Sequence, residues 1–161
     1  MRVYVASSWR NYAQQSVVYA LRRAGHEVYD FRHPPGGDHL AFAWSEVDPD
    51  WQQWTPGAFV LGLMHPAARA GFESDMSALR RADATVLVMP CGRSAHLELG
   101  YAAGRGQRTV VLIPPAAEFE LELMYGMAEL VTSSLDDVVS MLGDSADDER
   151  VERAMIEAVP A

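Results

Sequence analysis

The sequence contains no lysine, so its 13 basic residues are all arginines, and they face 22 acidic residues for a formal net charge of −9. Nucleic-acid polymers are bound through many lysine and arginine contacts to phosphate, and this balance therefore argues against DNA or RNA as a partner. A small anionic ligand that meets one or two arginines locally is compatible with it.

Cysteine is also scarce, since Cys91 is the single one. It excludes an intrachain disulfide and a zinc site built from several cysteines. No run approaches 18 apolar residues, which predicts no membrane span, and the opening MRVYVASSWR resembles a strand more than a signal peptide. GxGxxG and Walker motifs are absent as well. We expect a cytoplasmic protein.

Apolar runs suited to buried strands alternate with segments of helical spacing over the 161 residues. This order predicts an α/β fold with three layers and a five-stranded parallel sheet, doubly wound like a flavodoxin or Rossmann domain. Predicted strands cover 1–6, 27–31, 84–89, 109–113 and 130–132, and predicted helices cover 11–24, 66–82, 94–104 and 134–142. We assign one domain to 1–145, with a tryptophan-rich insertion over 33–65, and an acidic helix or tail to 146–161.

Helix ends and faces follow from individual residues. Ser94 and Ser134 are predicted N-caps, and Gly25 is a predicted C-terminal stop. The 66–82 helix is expected to bury Phe72, Met76 and Leu79 on one face. Gly100 and Gly104 are expected to let their helix approach the sheet closely.

Parallel sheets bind ligands at the carboxyl ends of their strands, which points first to the loop after strand one. This loop contains Ser7, Ser8, Trp9 and Arg10. Backbone N–H groups at a helix start, with the Ser8 hydroxyl and the Arg10 guanidinium, suit an anion or a sugar. An ordinary helix cap followed by surface residues explains the same pattern.

Two carboxylates are candidates for chemistry at this edge. Glu98 lies just beyond the first turn of the helix that Ser94 would cap, where the helix dipole would keep it ionised, as a nucleophile requires. Asp75, on the preceding helix, can meet it if that helix crosses the edge, and such pairs cleave glycosidic bonds with retention. Both could equally be solvated helix carboxylates. Asp83 is expected to cap or turn the chain.

The insertion holds three of the four tryptophans, among them Trp44, together with Asp48 and Asp50. A tryptophan face can stack on a heteroaromatic base, and Asp48 or Asp50 could bond its edge. A small core beneath a long loop is the alternative.

Three blocks of the sequence together resemble the nucleoside 2-deoxyribosyltransferase superfamily, which includes deoxynucleoside 5′-monophosphate N-hydrolases. Val3–Arg10 resembles the opening strand and its sugar- or phosphate-binding loop. Asp75 and Asp83 match a D-x₇-D spacing before the third strand. The run from Ser94 to Tyr101 resembles the signature in which a glutamate precedes an apolar residue, glycine and an aromatic residue.

The resemblance implies a role for several positions. Glu98 would attack the anomeric carbon, Tyr4 would orient its carboxylate, and Asp75 would transfer a proton at the departing base or hold the sugar. Ser8 and Arg10 match the members whose loop holds a 5′-phosphate. The resemblance implies no metal and no cofactor, and a small nucleoside or nucleotide as substrate.

Two positions depart from the family pattern. Gly92 stands where an Asp or Ser often precedes the glutamate by six residues, and Ser94 is the candidate replacement. A neighbouring subunit usually contributes an Asn or Ser beside the 5′ end of the sugar, and the segment with Glu122 and Met124 occupies that place. A carboxylate near a phosphate would be repulsive by about 4 kcal/mol at 4 Å. The resemblance therefore implies a homodimer or higher homo-oligomer with a shared site, but leaves phosphate open.

Three functions are compatible with these residues. The first is cleavage of the N-glycosidic bond of a 2′-deoxynucleoside or its 5′-monophosphate, with transfer to another base or to water. The second is a nucleotide sensor without catalysis on the same scaffold. The third is a ribonucleotide phosphoribohydrolase, although its PGGxGT run is absent.

Overall fold

The computed structural model of the chain describes residues 1–37 and 41–143. The strands are β1 (Arg2–Ala6), β2 (Glu27–Tyr29), β3 (Ala84–Val88), β4 (Arg108–Leu112) and β5 (Leu130–Thr132). The helices are α1 (Ala13–Arg23), α2 (Pro56–Gly62), α3 (Pro66–Arg81), α4 (Arg93–Gly104) and α5 (residues 135–143). The acidic helix or tail predicted over 146–161 lies outside the described residues.

The five strands form one parallel sheet in the order β2-β1-β3-β4-β5. Every residue of the central strand β3 is buried, which accounts for its uninterrupted apolar sequence. Helices pack on both faces of the sheet, so the predicted three-layer, doubly wound fold is confirmed. In this strand order the winding reverses between β1 and β3, and folds of this kind bind ligands at that point.

Alternation along β1 sends its side chains to opposite faces of the sheet. Val3 and Val5 join the core under α1 and α5. Tyr4 and Ala6 point to the other face and join the core that includes Leu79 of α3 and Leu99 of α4. The face that receives Tyr4 is therefore the face covered by the two helices that carry Asp75 and Glu98.

Several predicted helix details are confirmed and others are wrong. Gly25 follows α1 with φ +88°, and the Ser134 hydroxyl accepts the N–H of Asp137 at 3.2 Å as an N-cap. Phe72 is 58% exposed instead of buried, whereas the neighbouring Gly71 is the residue that packs against Phe42 of the insertion. A Cβ at Gly100 or Gly104 would meet no atom within 4 Å, so neither glycine marks a close approach.

The insertion is more regular than its composition predicts. It contains α2 and two short 3₁₀ helices, Trp44–Glu46 and Trp51–Gln53. Thr55 caps α2 by accepting the Ala58 N–H at 3.2 Å. The insertion rests on α3, where Phe42 lies so close to Gly71 that an added Cβ would be 2.5 Å away.

Across residues 1–37 and 41–143, the structure has no helix with the length and apolar character needed to cross a membrane.

Candidate active site

The loop after β1 is fastened to the carboxyl end of β3. The Ser7 hydroxyl donates to the Val88 carbonyl at 2.9 Å, and the Asn11 amide donates to the same carbonyl at 3.1 Å and to Ser7 at 3.0 Å. Ser7, a predicted substrate ligand, thus has a structural partner on β3. These bonds place the loop beside the turn that leads from β3 into α4.

The outer part of this loop is organised by a residue that the sequence did not single out. One terminal nitrogen of Arg32 donates to the carbonyls of Ser8, Trp9 and Asn11, at 3.1, 2.8 and 3.0 Å. The Ser8 hydroxyl accepts the Arg10 N–H at 3.3 Å, and the side chains of Trp9 and Arg10 are exposed. Arg32 therefore holds the backbone of the loop and brings a second guanidinium group to the loop that carries Arg10.

Helix α4 begins one residue earlier than the sequence predicts. Its N-cap is Gly92, in an extended conformation and without a side-chain hydrogen bond, while Ser94 is exposed within the first turn. The prediction that Ser94 caps the helix is therefore wrong. Glu98 lies in the second turn, where the helix dipole has little effect because it fades beyond the first.

Glu98 is mostly withdrawn from solvent, and its surroundings favour the protonated form. Burial, followed by the negative charge of Asp75, raises the pKa of Glu98 to about 7, while a hydrogen bond from Tyr4 opposes the shift. The expectation of a carboxylate held ionised by the helix is therefore wrong, since desolvation outweighs the favourable interactions.

Asp75 reaches the same place from α3. The Tyr29 hydroxyl donates to Asp75 Oδ1 at 2.8 Å and lies 3.1 Å from the Ser74 hydroxyl. Burial raises the pKa of Asp75, and the bond from Tyr29 opposes this. The charge of Asp75 is one cause of the raised pKa of Glu98, so the two carboxylates lie within electrostatic range of each other.

The two tyrosines lie side by side because β1 and β2 pair in register, Tyr4 opposite Tyr29. Their rings stack with centroids 5.2 Å apart and planes 14° from parallel. Tyr4 is 1% exposed, and burial together with Glu98 and Asp75 raises its pKa well above the usual value. Both phenols therefore stay protonated and serve as hydrogen-bond donors to carboxylates.

The turn before α4 adds a second polar cluster. His96 Nδ1 lies 2.9 Å from the Gly92 carbonyl, and Nε2 lies 2.9 Å from the Tyr125 hydroxyl. Since a carbonyl only accepts, Nδ1 carries the proton. Burial and the charge of Glu98 raise the pKa of Cys91 to about 11, so this thiol is not an activated nucleophile.

Comparison with known proteins identifies the architecture. No protein-family model and no curated protein sequence matches the chain. A solved 2-deoxyribosyltransferase from Bacillus psychrosaccharolyticus is similar over 86% of this chain and 90% of its own, with 18% identity and a TM-score of 0.54. The chain has the 2-deoxyribosyltransferase fold.

Two further solved structures are similar. A conserved protein from Enterococcus faecalis V583 matches over 86% of this chain and 94% of its own, with 15% identity and a TM-score of 0.53. A CMP N-glycosidase from Clostridium botulinum matches over 88% and 98%, with 15% identity and a TM-score of 0.48.

The residues predicted to bind the base, Trp44 and Asp48, contact other residues of the insertion. Trp44 packs edge-on against Phe42, Trp54 and Phe59. The Asp48 carboxylate accepts the Trp54 indole N–H at 2.5 Å and the Asp50 N–H at 2.9 Å. Trp44 and Asp48 thus belong to the small core of the insertion, which was the alternative interpretation. In the part of the chain that the structure describes, no hydrogen bond or ring contact joins either residue to Asp75 or Glu98.

The segment expected to reach a neighbouring subunit is the 3₁₀ helix Leu123–Met127 and its N-cap. The Glu122 carboxylate accepts the Met124 N–H at 2.8 Å, and both side chains are exposed. The hydrogen bond between the Tyr125 hydroxyl and His96 Nε2 connects this segment to α4. Glu122 is therefore engaged as a cap and is held at a fixed position relative to the helix of Glu98.

Tyr29 and Arg32 are the functional candidates that sequence reasoning missed. A signal for Tyr29 exists, because a tyrosine occurs at the matching position of each of the first two strands. Arg32 has no comparable signal, since its role depends on carbonyls of a loop far from it in sequence. Among the described residues, no group of three or more His, Cys, Asp or Glu side chains is placed to hold a metal ion.

Proposed function

We propose that the protein cleaves the N-glycosidic bond of a 2′-deoxynucleoside or its 5′-monophosphate, with Glu98 as nucleophile. The observation that carries the proposal is the pair of buried carboxylates, Glu98 and Asp75, in which the charge of Asp75 raises the pKa of Glu98 and Tyr29 donates a hydrogen bond to Asp75. The pair lies at the point of the sheet where this fold class binds ligands. The 2-deoxyribosyltransferase that shares the fold supports the choice of bond.

The reaction needs one proton shared by the two carboxylates. Ionised Glu98 bonds to the anomeric carbon while the bond to the base breaks, and the leaving nitrogen takes the proton from Asp75. Water or a second base then gives its proton to Asp75 as it attacks the same carbon and releases Glu98. Transfer and hydrolysis thus use the same residues.

The loop after β1 would bind the 5′ end of the sugar, with Ser8 and Arg10 as ligands and Arg32 beneath. Two guanidinium groups favour a phosphate there, whereas Glu122 from a neighbouring copy would oppose it. Replacement of Arg10 by Gln would lower the rate on a monophosphate about tenfold or more and leave the rate on a nucleoside unchanged. Equal loss on both substrates would contradict a phosphate role.

A second copy of the chain would complete the site with Glu122 and Met124. The support is the exposure of the apolar side chains around them, since Leu121 is 92% and Leu123 is 91% exposed. Such residues are placed to pack against a partner.

The decisive experiment is base release from ribo- and deoxyribonucleosides and their 5′-monophosphates, each with and without a second free base. Glu98→Gln should lose at least about 10³-fold of the rate, because no covalent intermediate can form. Glu73→Gln is the matched control, since Glu73 lies on the exposed side of α3 and pairs with Arg80 at 3.6 Å. Turnover by Glu98→Gln, or binding without base release by the wild type, would overturn the proposal, and the second result would indicate a sensor.

A further inference from the structure

Tyr29 lies at the end of β2, next to Tyr4 in register, and its hydroxyl contacts α3 instead of α4. A phenol has one proton to donate. Because the proton of Tyr29 goes to Asp75 Oδ1 at 2.8 Å, its oxygen is left to accept from Ser74 at 3.1 Å. The hydrogen bonds therefore run from the Ser74 hydroxyl to the Tyr29 hydroxyl and from the Tyr29 hydroxyl to Asp75.

This series of hydrogen bonds makes the two oxygens of Asp75 different. Oδ1 is occupied by Tyr29, and no hydrogen bond from residues 1–37 or 41–143 reaches Oδ2. A proton on Asp75 is therefore favoured on Oδ2, since a protonated Oδ1 would compete with the hydroxyl that donates to it. Oδ2 is also the oxygen left free to approach a substrate.

We propose that Tyr29 is a positioning residue that acts through Asp75, holding Oδ1 so that Oδ2 is the oxygen that exchanges the proton. The proposal rests on the proposed function for its meaning, because it assigns the atom through which Asp75 reaches the leaving base. Tyr4 lowers the pKa of Glu98 in the same sense, which makes it the matched tyrosine for comparison.

The groups that face the pair come from every packed element. Around Asp75 on α3 and Glu98 on α4, these groups are Tyr4 on β1, Tyr29 on β2, Ser74 on α3 and Cys91 in the turn before α4. Both Tyr29 and Tyr4 favour the ionised form of the carboxylate to which they donate. Loss of either hydroxyl should raise the pKa of its own partner more than that of the other carboxylate, which follows only through the repulsion between the two.

The test compares Tyr29→Phe with Tyr4→Phe, since both keep the ring and lose the hydroxyl. Carboxyl ¹³C NMR of the resting protein should show the Asp75 titration about one pH unit higher in Tyr29→Phe and the Glu98 titration higher in Tyr4→Phe. The same variants should differ in kinetics. Tyr29→Phe should move the kcat/KM profile to higher pH and lower kcat about tenfold, with KM little changed.

Two further variants provide a second test and a control. Ser74→Ala keeps Tyr29 and should give a smaller shift of Asp75 in the same direction, so the proposal is testable even if Tyr29→Phe folds poorly. Tyr19→Phe makes the same chemical change at an exposed site on α1 and should shift neither carboxylate. An Asp75 titration unchanged in Tyr29→Phe, or moved equally in Tyr19→Phe, would overturn the proposal. The NMR result needs no turnover, so it is independent of the outcome for Glu98→Gln.

Discussion

Asp75 on α3 and Glu98 on α4 act on each other as like charges, and the pKa of Glu98 is raised to about 7 by burial and by this repulsion. Burial also raises the pKa of Asp75. Two carboxylates that repel in this way titrate as a pair, in two steps that belong to both. Over the range between those steps the pair holds one proton, and the proposed reaction proceeds from the form in which that proton is on Asp75 and Glu98 is ionised.

The first prediction concerns pH. The plot of kcat/KM against pH should be bell-shaped, with its alkaline limb near pH 7, where the pair loses its last proton. On the acid side activity falls because both carboxylates become protonated and no nucleophile is left. Initial rates of base release between pH 4 and 9 measure this. A profile that rises to a plateau above pH 7 would mean that Asp75 holds the sugar and donates no proton.

The second prediction concerns the activity of Asp75→Asn and its dependence on pH. Removal of the negative charge lowers the pKa of Glu98, so the surviving activity should extend to lower pH, with a single acid limb. The loss of the proton donor should reduce kcat by roughly 10²–10⁴-fold on a natural base. On a deoxyriboside with a nitrophenolate leaving group, kcat of the variant should fall much less, since nitrophenolate departs without a proton. Equal losses on both substrates would exclude the proton-donor role, and Glu73→Gln serves again as the control.

The third prediction is a stability change that depends on pH. The pKa of Glu98 is about 7 in the folded protein and near its ordinary value of 4.5 in the unfolded chain, so the folded state binds more protons between these values. Its contribution to stability is fully present below pH 4.5 and is lost as pH rises through 7. Glu98→Gln removes this loss. It should therefore be more stable than the wild type at pH 8, by on the order of 2–3 kcal/mol, and similar at pH 4.5.

Thermal unfolding at the two pH values measures this difference, which corresponds to roughly 5–10 °C at pH 8 for a protein of this size. The result would be contradicted by a shift of equal size at both pH values. Glu73→Gln controls for the general effect of removing one acidic charge.

The sequence predicted the framework well because its signals are local. The apolar run of β3 and the tyrosine within β1 follow from burial and from strand alternation, and both are where they were expected. The capping of α4 was missed because Gly92 can begin a helix without a side-chain bond, so a serine two residues later drew the assignment. The cap lies two residues earlier than predicted, which places Glu98 deeper in the helix and farther from the positive end of the dipole.

The electrostatic state of the site was not predictable for a different reason. The pKa of Glu98 depends on how far α3 and α4 exclude water and on how near Asp75 lies, and both depend on tertiary packing. The role of Arg32 likewise depends on three carbonyls that only the folded loop brings together. Sequence spacing identifies which carboxylates meet, but not which of them holds the proton.

The fourth prediction uses two helical glycines as a matched pair. Gly71→Ala places a Cβ 2.5 Å from Cβ of Phe42, whereas Gly100→Ala places one in open space. The first should cost about 1–3 kcal/mol by overpacking, and the second should gain about 0.5–1 kcal/mol by reducing chain entropy in the unfolded state. Urea unfolding of both variants measures the difference. Equal gains would show that the insertion does not rest on α3 through Phe42.

The last prediction concerns the exposed segment around Glu122 and Met124. Leu123→Asp should prevent the proposed association of two copies and lower activity at least tenfold, because Leu123 is 91% exposed and would lie against the second copy. Leu61→Asp, at another exposed apolar site, is the control for oligomeric state. Sedimentation and base release measure the two effects together.

A shared site makes a sharper demand than assembly alone. Met124→Ala keeps Glu98 but weakens the contribution of the segment, whereas Glu98→Gln keeps the segment and lacks the nucleophile. Each variant alone should be poorly active, and a mixture that exchanges subunits should regain activity, because some sites then combine an intact Glu98 with an intact Met124 from the other chain. If exchange occurs, as shown by mass-labelled subunits, and activity does not return, each chain builds its site alone. In that case the exposed segment does not complete a neighbouring site.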